Sequence, residues 1–250
     1  TRHRHQDFPL TQGFDKRLAA IAAADDNPLY GGLKGVEKES LRVTSNGELS
    51  MLTHPIGLGS ALTNQFITTD FSEALLEFVT PAFATTWEAL HCICNIHQYT
   101  YSKLDEEMLW PSSMPCRIPA DDDIPLARYG SSNVGRMKTI YRRGLGYRYG
   151  RQMQTIAGVH FNYSVPQHFW RVYQEILGKR GDIEDFQSDG YLHLIRNFRR
   201  MGWLVLYLFG ASPALCKSFA AGNVAAMSSL QDDTYFEPFG TSLRMSDLGY

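Results

Sequence analysis

Acids fall at alternate positions in Gly35-Val36-Glu37-Lys38-Glu39-Ser40-Leu41-Arg42-Val43, and this pattern predicts a strand over residues 33–43, closed by an Asn46-Gly47 turn. The run Ala74-Leu75-Leu76-Glu77-Phe78-Val79-Thr80 ahead of Pro81 predicts a second strand. Its start is ambiguous: Asp70 and Glu73 have capping-box spacing, and on a helix Asp70, Glu73 and Glu77 would share one face. Thr85-x-x-Glu88 caps a predicted helix over 86–108, whose stripe of Trp87, Leu90, Cys94, His97, Tyr101, Leu104 and Met108 reads as core packing. Pro111 and Pro115 stop it. A strand is predicted over 154–165, with Ala157, Val159, Phe161 and Tyr163 on a packing face and Gly158, His160, Asn162 and Ser164 on a polar one. Further helices are predicted over 14–24, 167–177 and 189–209, after a mobile lead-in at 1–13. Residues 201–211 form the longest apolar run and read as a buried helix, well short of the ~20 residues that span a bilayer.

Composition narrows the class without naming a function. At 250 residues, 44% apolar and 20% charged, the chain is an ordinary globular sequence with room for a sizeable core. A net charge of −2 argues against a general polyanion binder. Cys92, Cys94, Cys116 and Cys216 are few and irregularly spaced, which fits neither a zinc site nor a disulfide framework and suggests a reducing, cytoplasmic setting. Residues 1–7 are polar and basic with no apolar stretch behind them, so no secretory signal is expected. The sequence opens on Thr1 and stops at Tyr250 directly after the dense motif from Thr241 to Gly249, and it reads as a fragment of something longer.

The candidate chemistry centres on carboxylates. Glu77 sits between Leu76 and Phe78, where an unpartnered carboxylate would cost several kcal/mol, so a compensating cation is expected. Glu37 and Glu39 point the same way from one strand, with Cα atoms ~6.5–7 Å apart by strand rise. Hard oxygen ligands without cysteine indicate magnesium or manganese, and a polynuclear divalent site indicates phosphate chemistry. The alternative is an edge strand whose acids are solvated and balanced by Lys38 and Arg42; adding Asp70 and Glu77 brings the two readings level. His160 could complete the site, with Asn162 orienting a ligand and Gly158 leaving room for its approach. Asp121-Asp122-Asp123 reads as a solvated loop. The basic and aromatic tract from Gly135 to Arg151 reads first as a loop over a small anionic substrate, with single-stranded RNA binding and a plain surface loop as alternatives.

These segments, in this order, resemble the proteobacterial type of glutamate–cysteine ligase. The likeness runs through residues 35–43, Gly59-Ser60-Ala61-Leu62-Thr63, Ile67 to Pro81 and Trp110 to Cys116. It continues through Tyr129 to Arg136, Gln154 to Ser164, Leu208 to Ala214 and Thr241 to Tyr250. The resemblance implies an α+β fold similar to glutamine synthetase: a curved antiparallel sheet flanked by helices, incomplete in this chain, with residues 14–250 forming the N-terminal part of one catalytic domain. It implies ATP-dependent joining of the L-glutamate γ-carboxylate to the L-cysteine amine through γ-glutamyl phosphate, the first step of glutathione biosynthesis. Carried over by motif, Glu37, Glu39, Asp70, Glu77 and His160 match ligands of Mg2+ or Mn2+. Arg142 matches a basic group near the reacting centre, with Asn162 in the same site, and Arg244 matches a glutamate contact. Tyr141, Gln154 and Tyr250, adjoined by Phe71 and Leu145, match the cysteine side. The partners implied are L-glutamate, L-cysteine and ATP, with no nucleic acid or membrane, in a protein that is monomeric at full length. Members of the family are considerably longer and carry a further acidic ligand and another arginine, so this chain alone is expected to be inactive. No nucleotide contact is assigned. Other carboxylate–amine ligation, or non-catalytic binding of glutamate or metal, remain the alternatives.

Overall fold

The computed structural model describes residues 9–24, 27–115, 117–210, 212–219 and 227–243. In chain order the elements are α1 (Pro9–Ala22), β1 (Leu33–Val43), β2 (Ile67–Thr69), β3 (Leu75–Val79), α2 (Thr86–Tyr101), β4 (Met108–Leu109), α3 (Asn133–Tyr149), β5 (Val159–Ser164), α4 (Gln167–Ile176), α5 (Ile183–Phe209), β6 (Ala214–Cys216), β7 (Ser228–Gln231) and β8 (Thr234–Phe236). Packing divides them into two compact units, one of residues up to Leu33 with Tyr163–Gly202, the other of Lys34–Asn162 with the residues from Trp203 on.

The larger unit is built on β1. Its sheet runs β2-β3-β1-β4, with β5 also pairing β1, and β6-β8-β7 form a separate antiparallel sheet. The β1–β3 register sets Glu39 opposite Glu77 and Leu41 opposite Leu75, antiparallel. Alternation then divides the strands by face. Leu41, Val43 and Leu75 enter a core with Phe71, Ile124 and Ala157. Leu76 and Phe78 enter another with Leu58, Ile67, Ile93 and Leu104. Leu41, Leu75, Leu76 and Phe78 are fully buried, each contributing about 1.5–3 kcal/mol relative to exposure. The architecture is α+β with an open antiparallel sheet, as expected.

The Arg42 side chain lies on the opposite face from Glu37 and Glu39 and is completely buried. It donates to both Glu107 carboxylate oxygens at 2.7 and 2.6 Å and to the carbonyls of Leu52, Thr53 and Glu73 at 2.8, 3.0 and 2.9 Å. Lys38, on the same face as Arg42, donates to Ser40 Oγ. Neither cation balances Glu37 or Glu39, and β1 is paired on both sides. The solvated edge-strand reading is therefore set aside.

Several other expectations change. The tract 135–151 is mostly helix, because the Ser132 side chain caps α3 by accepting from Gly135 N at 3.1 Å. Gly135 abuts the Tyr129 carbonyl so closely that no Cβ would fit. Helix α2 keeps its capping box but ends at Tyr101, and it buries Ala89, Ile93 and Thr100. Trp87, expected in the packed stripe, is 80% exposed. β5 starts only at Val159, since Met153–Thr155 forms a 3-10 turn. Val159, Phe161 and Tyr163, expected to pack, are exposed. The apolar run from Met201 to Phe209 is the end of α5, which buries no residue, so its reading as a buried helix is corrected. Residues 70–74 form the β2–β3 turn and not a helix start. Residues 9–13, read as lead-in, belong to α1.

The smaller unit packs α1 against α4. Trp170 of α4 is its buried centre, with ring contacts to Phe169, Phe186 and Tyr191. Among the described residues no helix is long and apolar enough to cross a membrane.

Candidate active site

One face of β1 and β3 changes character along its length. Leu41 and Leu75 close the core, and the next step along the same face is Glu39 opposite Glu77, with Glu37 beyond. β5 adds its polar face: His160 Nδ1 lies 3.0 Å from Glu37 Oε2, and Asn162 Nδ2 donates to Glu37 Oε1 at 3.0 Å. Gly158 N donates to Glu39 Oε2 at 2.7 Å, and a Cβ on Gly158 would stand 3.5 Å from that oxygen and 3.6 Å from His160 Nε2. The glycine keeps a path to both groups open. Asp70 joins from the β2–β3 turn, where its N–H donates to Leu75 O at 3.0 Å.

The charges are not balanced. Burial pushes the Glu39 carboxyl up to about 7, opposed by the Gly158 hydrogen bond and reinforced by Asp70 and Glu77. Burial also raises Glu77, again with like-charge pressure from Asp70 and Glu37, while Arg142 and His160 oppose it. The hydrogen bond to Glu37 raises His160, with burial opposing and the neighbouring acids adding to the rise. Four carboxylates crowded against one arginine and one histidine leave a negative surplus that a cation would relieve.

Arg142 reaches this face from α3. Its Nε donates to the Asp70 carbonyl, and one terminal nitrogen lies 3.6 Å from Asp70 Oδ1. The guanidinium carbon lies 4.7 Å from the centroid of the Tyr129 ring, and Lys138 Nζ lies 5.1 Å from the same centroid. The Tyr129 hydroxyl shares its proton between Thr69 O at 2.7 Å and Asp70 O at 2.8 Å. Burial pushes that phenol up to about 12, so it stays a donor.

A cavity of about 910 Å³ opens beside Glu39, Asp70 and His160 and extends past Gln154 to Leu215 and Phe219. Thus Glu37, Glu39, Asp70, Glu77, His160, Asn162 and Arg142 converge, and Gln154 lines the adjoining space. Tyr141 is 63% exposed on α3. Phe71 is buried in the core with Leu145 packed against it. Arg244 and Tyr250 lie outside the described residues. Among the described residues, no three His, Cys, Asp or Glu side chains stand close enough together to grip one ion. Glu37 is engaged by His160 and Asn162, and Glu39 by Gly158 N.

Sequence reasoning missed Tyr129 and Glu73. Glu73 is buried and accepts from His54 N and Arg128 N, both at 2.6 Å, pinning the segment that leads into Tyr129. Glu73 figures in the sequence only through its capping-box spacing and Tyr129 only as the start of a family-like stretch, and neither receives a role; their partners are 19 to 60 residues away.

A sequence model of glutamate-cysteine ligase matches residues 18–250. The chain belongs to the glutamate–cysteine ligase family. It is 52% identical over 237 residues to the glutamate–cysteine ligase of Alcanivorax borkumensis, covering 94% of this chain and 45% of that protein. Against the Pseudomonas putida glutamate–cysteine ligase the identity is 54% over 242 residues, covering 96% and 46%. Among solved structures, the Francisella tularensis glutamate–cysteine ligase in complex with AMP aligns with a TM-score of 0.80 at 40% identity, covering 88% of this chain and 43% of that one. The chain spans about half the length of the curated relatives it matches.

Proposed function

We propose that this glutamate–cysteine ligase family chain contributes to an ATP-dependent ligase that joins the γ-carboxylate of L-glutamate to the amine of L-cysteine. The observation that carries the reading is the surplus of negative charge where Glu37, Glu39, Asp70 and Glu77 share one end of the sheet with His160. The oxygen-rich donor set suits Mg2+ or Mn2+, and Glu37, Glu39, Asp70, Glu77 and His160 would share more than one such ion between them, since no three of them stand close enough here to grip a single one. Bound there, the metal would offset the negative charge of the triphosphate during phosphoryl transfer. The AMP complex of the Francisella relative supports nucleotide use by that protein, and we extend it to this chain.

In the proposed reaction a glutamate γ-carboxylate oxygen forms a bond to the γ-phosphorus of ATP, and ADP leaves. The cysteine amine then attacks the acyl carbon of γ-glutamyl phosphate, phosphate departs with the bonding electrons, and the amine loses a proton. Arg142, its guanidinium held at the acidic face, neutralises charge near the transferring group. Asn162 holds Glu37 in place. Gln154 lines the cavity, and we assign it to the cysteine side with Tyr141, Leu145 and Tyr250; Phe71 adjoins them from the core cluster against which Leu145 packs. Arg244 is proposed to grip the glutamate carboxylate through two parallel hydrogen bonds. We place the enzyme in the cytoplasm as a monomer, with residues from 14 onward belonging to one catalytic domain; the free state of Cys92 and Cys94 supports a reducing setting.

The test is an assay of the full gene product with ATP, magnesium, glutamate and cysteine, following phosphate release and detecting the dipeptide by mass. Cysteine-dependent phosphate release with γ-glutamylcysteine as product is expected. Release driven equally well by another amine would replace cysteine as the acceptor, and no amine-dependent release would end the ligase reading.

A further inference from the structure

Arg142 is the largest cation at the acidic face, yet it sits on a helix that carries glycines at Gly135, Gly144 and Gly146 and is not rigid by composition. Within that helix it donates from one terminal nitrogen to the Lys138 carbonyl at 3.3 Å, and its other contacts come from outside the helix. The Tyr129 ring centroid lies 4.7 Å from the guanidinium carbon and 5.1 Å from Lys138 Nζ, so one ring meets two cations spaced a helical turn apart. The same residue holds the turn that the guanidinium grips. The Tyr129 hydroxyl and Arg142 Nε both donate to the Asp70 carbonyl, and the hydroxyl also reaches Thr69 O at the end of β2. Tyr129 is itself buried, and its segment is pinned by Glu73 through Arg128 N.

From these contacts we infer that Tyr129 is a positioning residue for the reaction: its ring fixes the Arg142 guanidinium, and its hydroxyl fixes the Asp70 turn, so that cation and carboxylate are presented together at the acidic face. The inference rests on the ligase reading for its kinetic consequence, while the geometric claim stands apart from it. Removing the ring frees Arg142 to swing toward solvent. Removing only the hydroxyl loosens the Asp70 turn but leaves the cation platform in place.

The experiment is a double-mutant cycle in the full gene product, with Tyr129→Leu, Tyr129→Phe, Arg142→Ala and Tyr129→Leu combined with Arg142→Ala. We expect Tyr129→Leu to lower kcat about 30-fold with Michaelis constants for glutamate and cysteine changed less than three-fold, and Tyr129→Phe to lower kcat less than ten-fold. On the Arg142→Ala background, Tyr129→Leu should lower kcat less than three-fold further. Effects that multiply in full would overturn the inference, because Tyr129 would then not act through Arg142. A readout without catalysis is phenylglyoxal modification of Arg142, followed by mass spectrometry. Its rate should rise at least five-fold in Tyr129→Leu and stay within two-fold of wild type in Tyr129→Phe. An unchanged rate in folded Tyr129→Leu would sink the platform whatever reaction the enzyme performs. If Tyr129→Leu fails to fold, Tyr129→Phe decides: its Arg142 must remain protected, and rapid modification there would overturn the ring's role. A wild type that makes no γ-glutamylcysteine tells against the ligase reading alone.

Discussion

Strand β1 carries charge on both faces, and the two faces handle it in opposite ways. On one, Arg42 is enclosed by Glu107 and three backbone carbonyls, so a buried cation meets a nearly full set of acceptors. On the other, Glu37, Glu39, Glu77 and Asp70 crowd together with fewer cations than carboxylates, and burial plus mutual repulsion raise Glu39 and Glu77. Charge that closes on itself ties loops to the sheet. Charge left over waits for something from solution. Burial follows the same division: the Arg42 and Glu107 side chains are 0% and 11% exposed, whereas those of Glu37 and Asp70 are 33% and 42% exposed and open to a solute.

The largest effect that sharpens this contrast is on the closed face. Arg42→Ala leaves Glu107 and three carbonyls without their donor and should destabilise the fold by roughly 3–5 kcal/mol, read from urea unfolding. A loss below about 1 kcal/mol would mean that the pair is not structural. On the open face the reverse is expected. Glu77→Gln should lower turnover about 100-fold, roughly 2.7 kcal/mol of barrier, while changing unfolding free energy by less than about 0.5 kcal/mol or raising it slightly, because a repelled carboxylate is removed. Near-normal turnover with unchanged magnesium dependence would contradict the assignment.

A smaller, pH-dependent effect comes from His97, which packs on Phe78 behind the sheet at 4.7 Å between ring centroids. Burial, with Lys38 adding to it, lowers its pKa from 6.5 to about 4. The unfolded chain takes up this proton first, so stability from the neutral imidazole is full above about 6.5 and is lost as pH falls toward 4. His97→Gln should therefore shrink the stability difference between pH 7 and pH 5 by about 1–2 kcal/mol in urea titrations. An identical pH dependence in the variant would place His97 in solvent.

What was legible in the sequence follows the range of each interaction. β1, β3 and the Thr85–Glu88 box depend on neighbours within a few residues, and the strand period put Glu37, Glu39 and Glu77 on one face once register was set. Asp70 and His160 were joined to that face as candidate ligands by residue type and then matched by the family motifs, since period alone did not place them there. The helical phase of α2 was misread because Trp87 and Tyr101 are apolar yet exposed, while the small Ala89 and polar Thr100 are the buried positions. The tract after Ser132 was read as a loop from its glycines, but a single cap and long basic side chains suffice for a helix. The contacts of Tyr129 with Thr69 and Asp70 span about 60 residues and have no local signature.

The most direct test of the central claim, that the acidic face is the divalent-cation site and the Arg42 face is not, is Mn2+ binding by electron paramagnetic resonance on the full gene product. Wild type should quench the free-ion signal at micromolar Mn2+. Glu77→Gln should restore most of that signal, and a milder change on the other face, Glu107→Gln, should leave the quenching intact. Wild-type binding that survives Glu77→Gln unchanged, or is abolished equally by Glu107→Gln, would contradict the account.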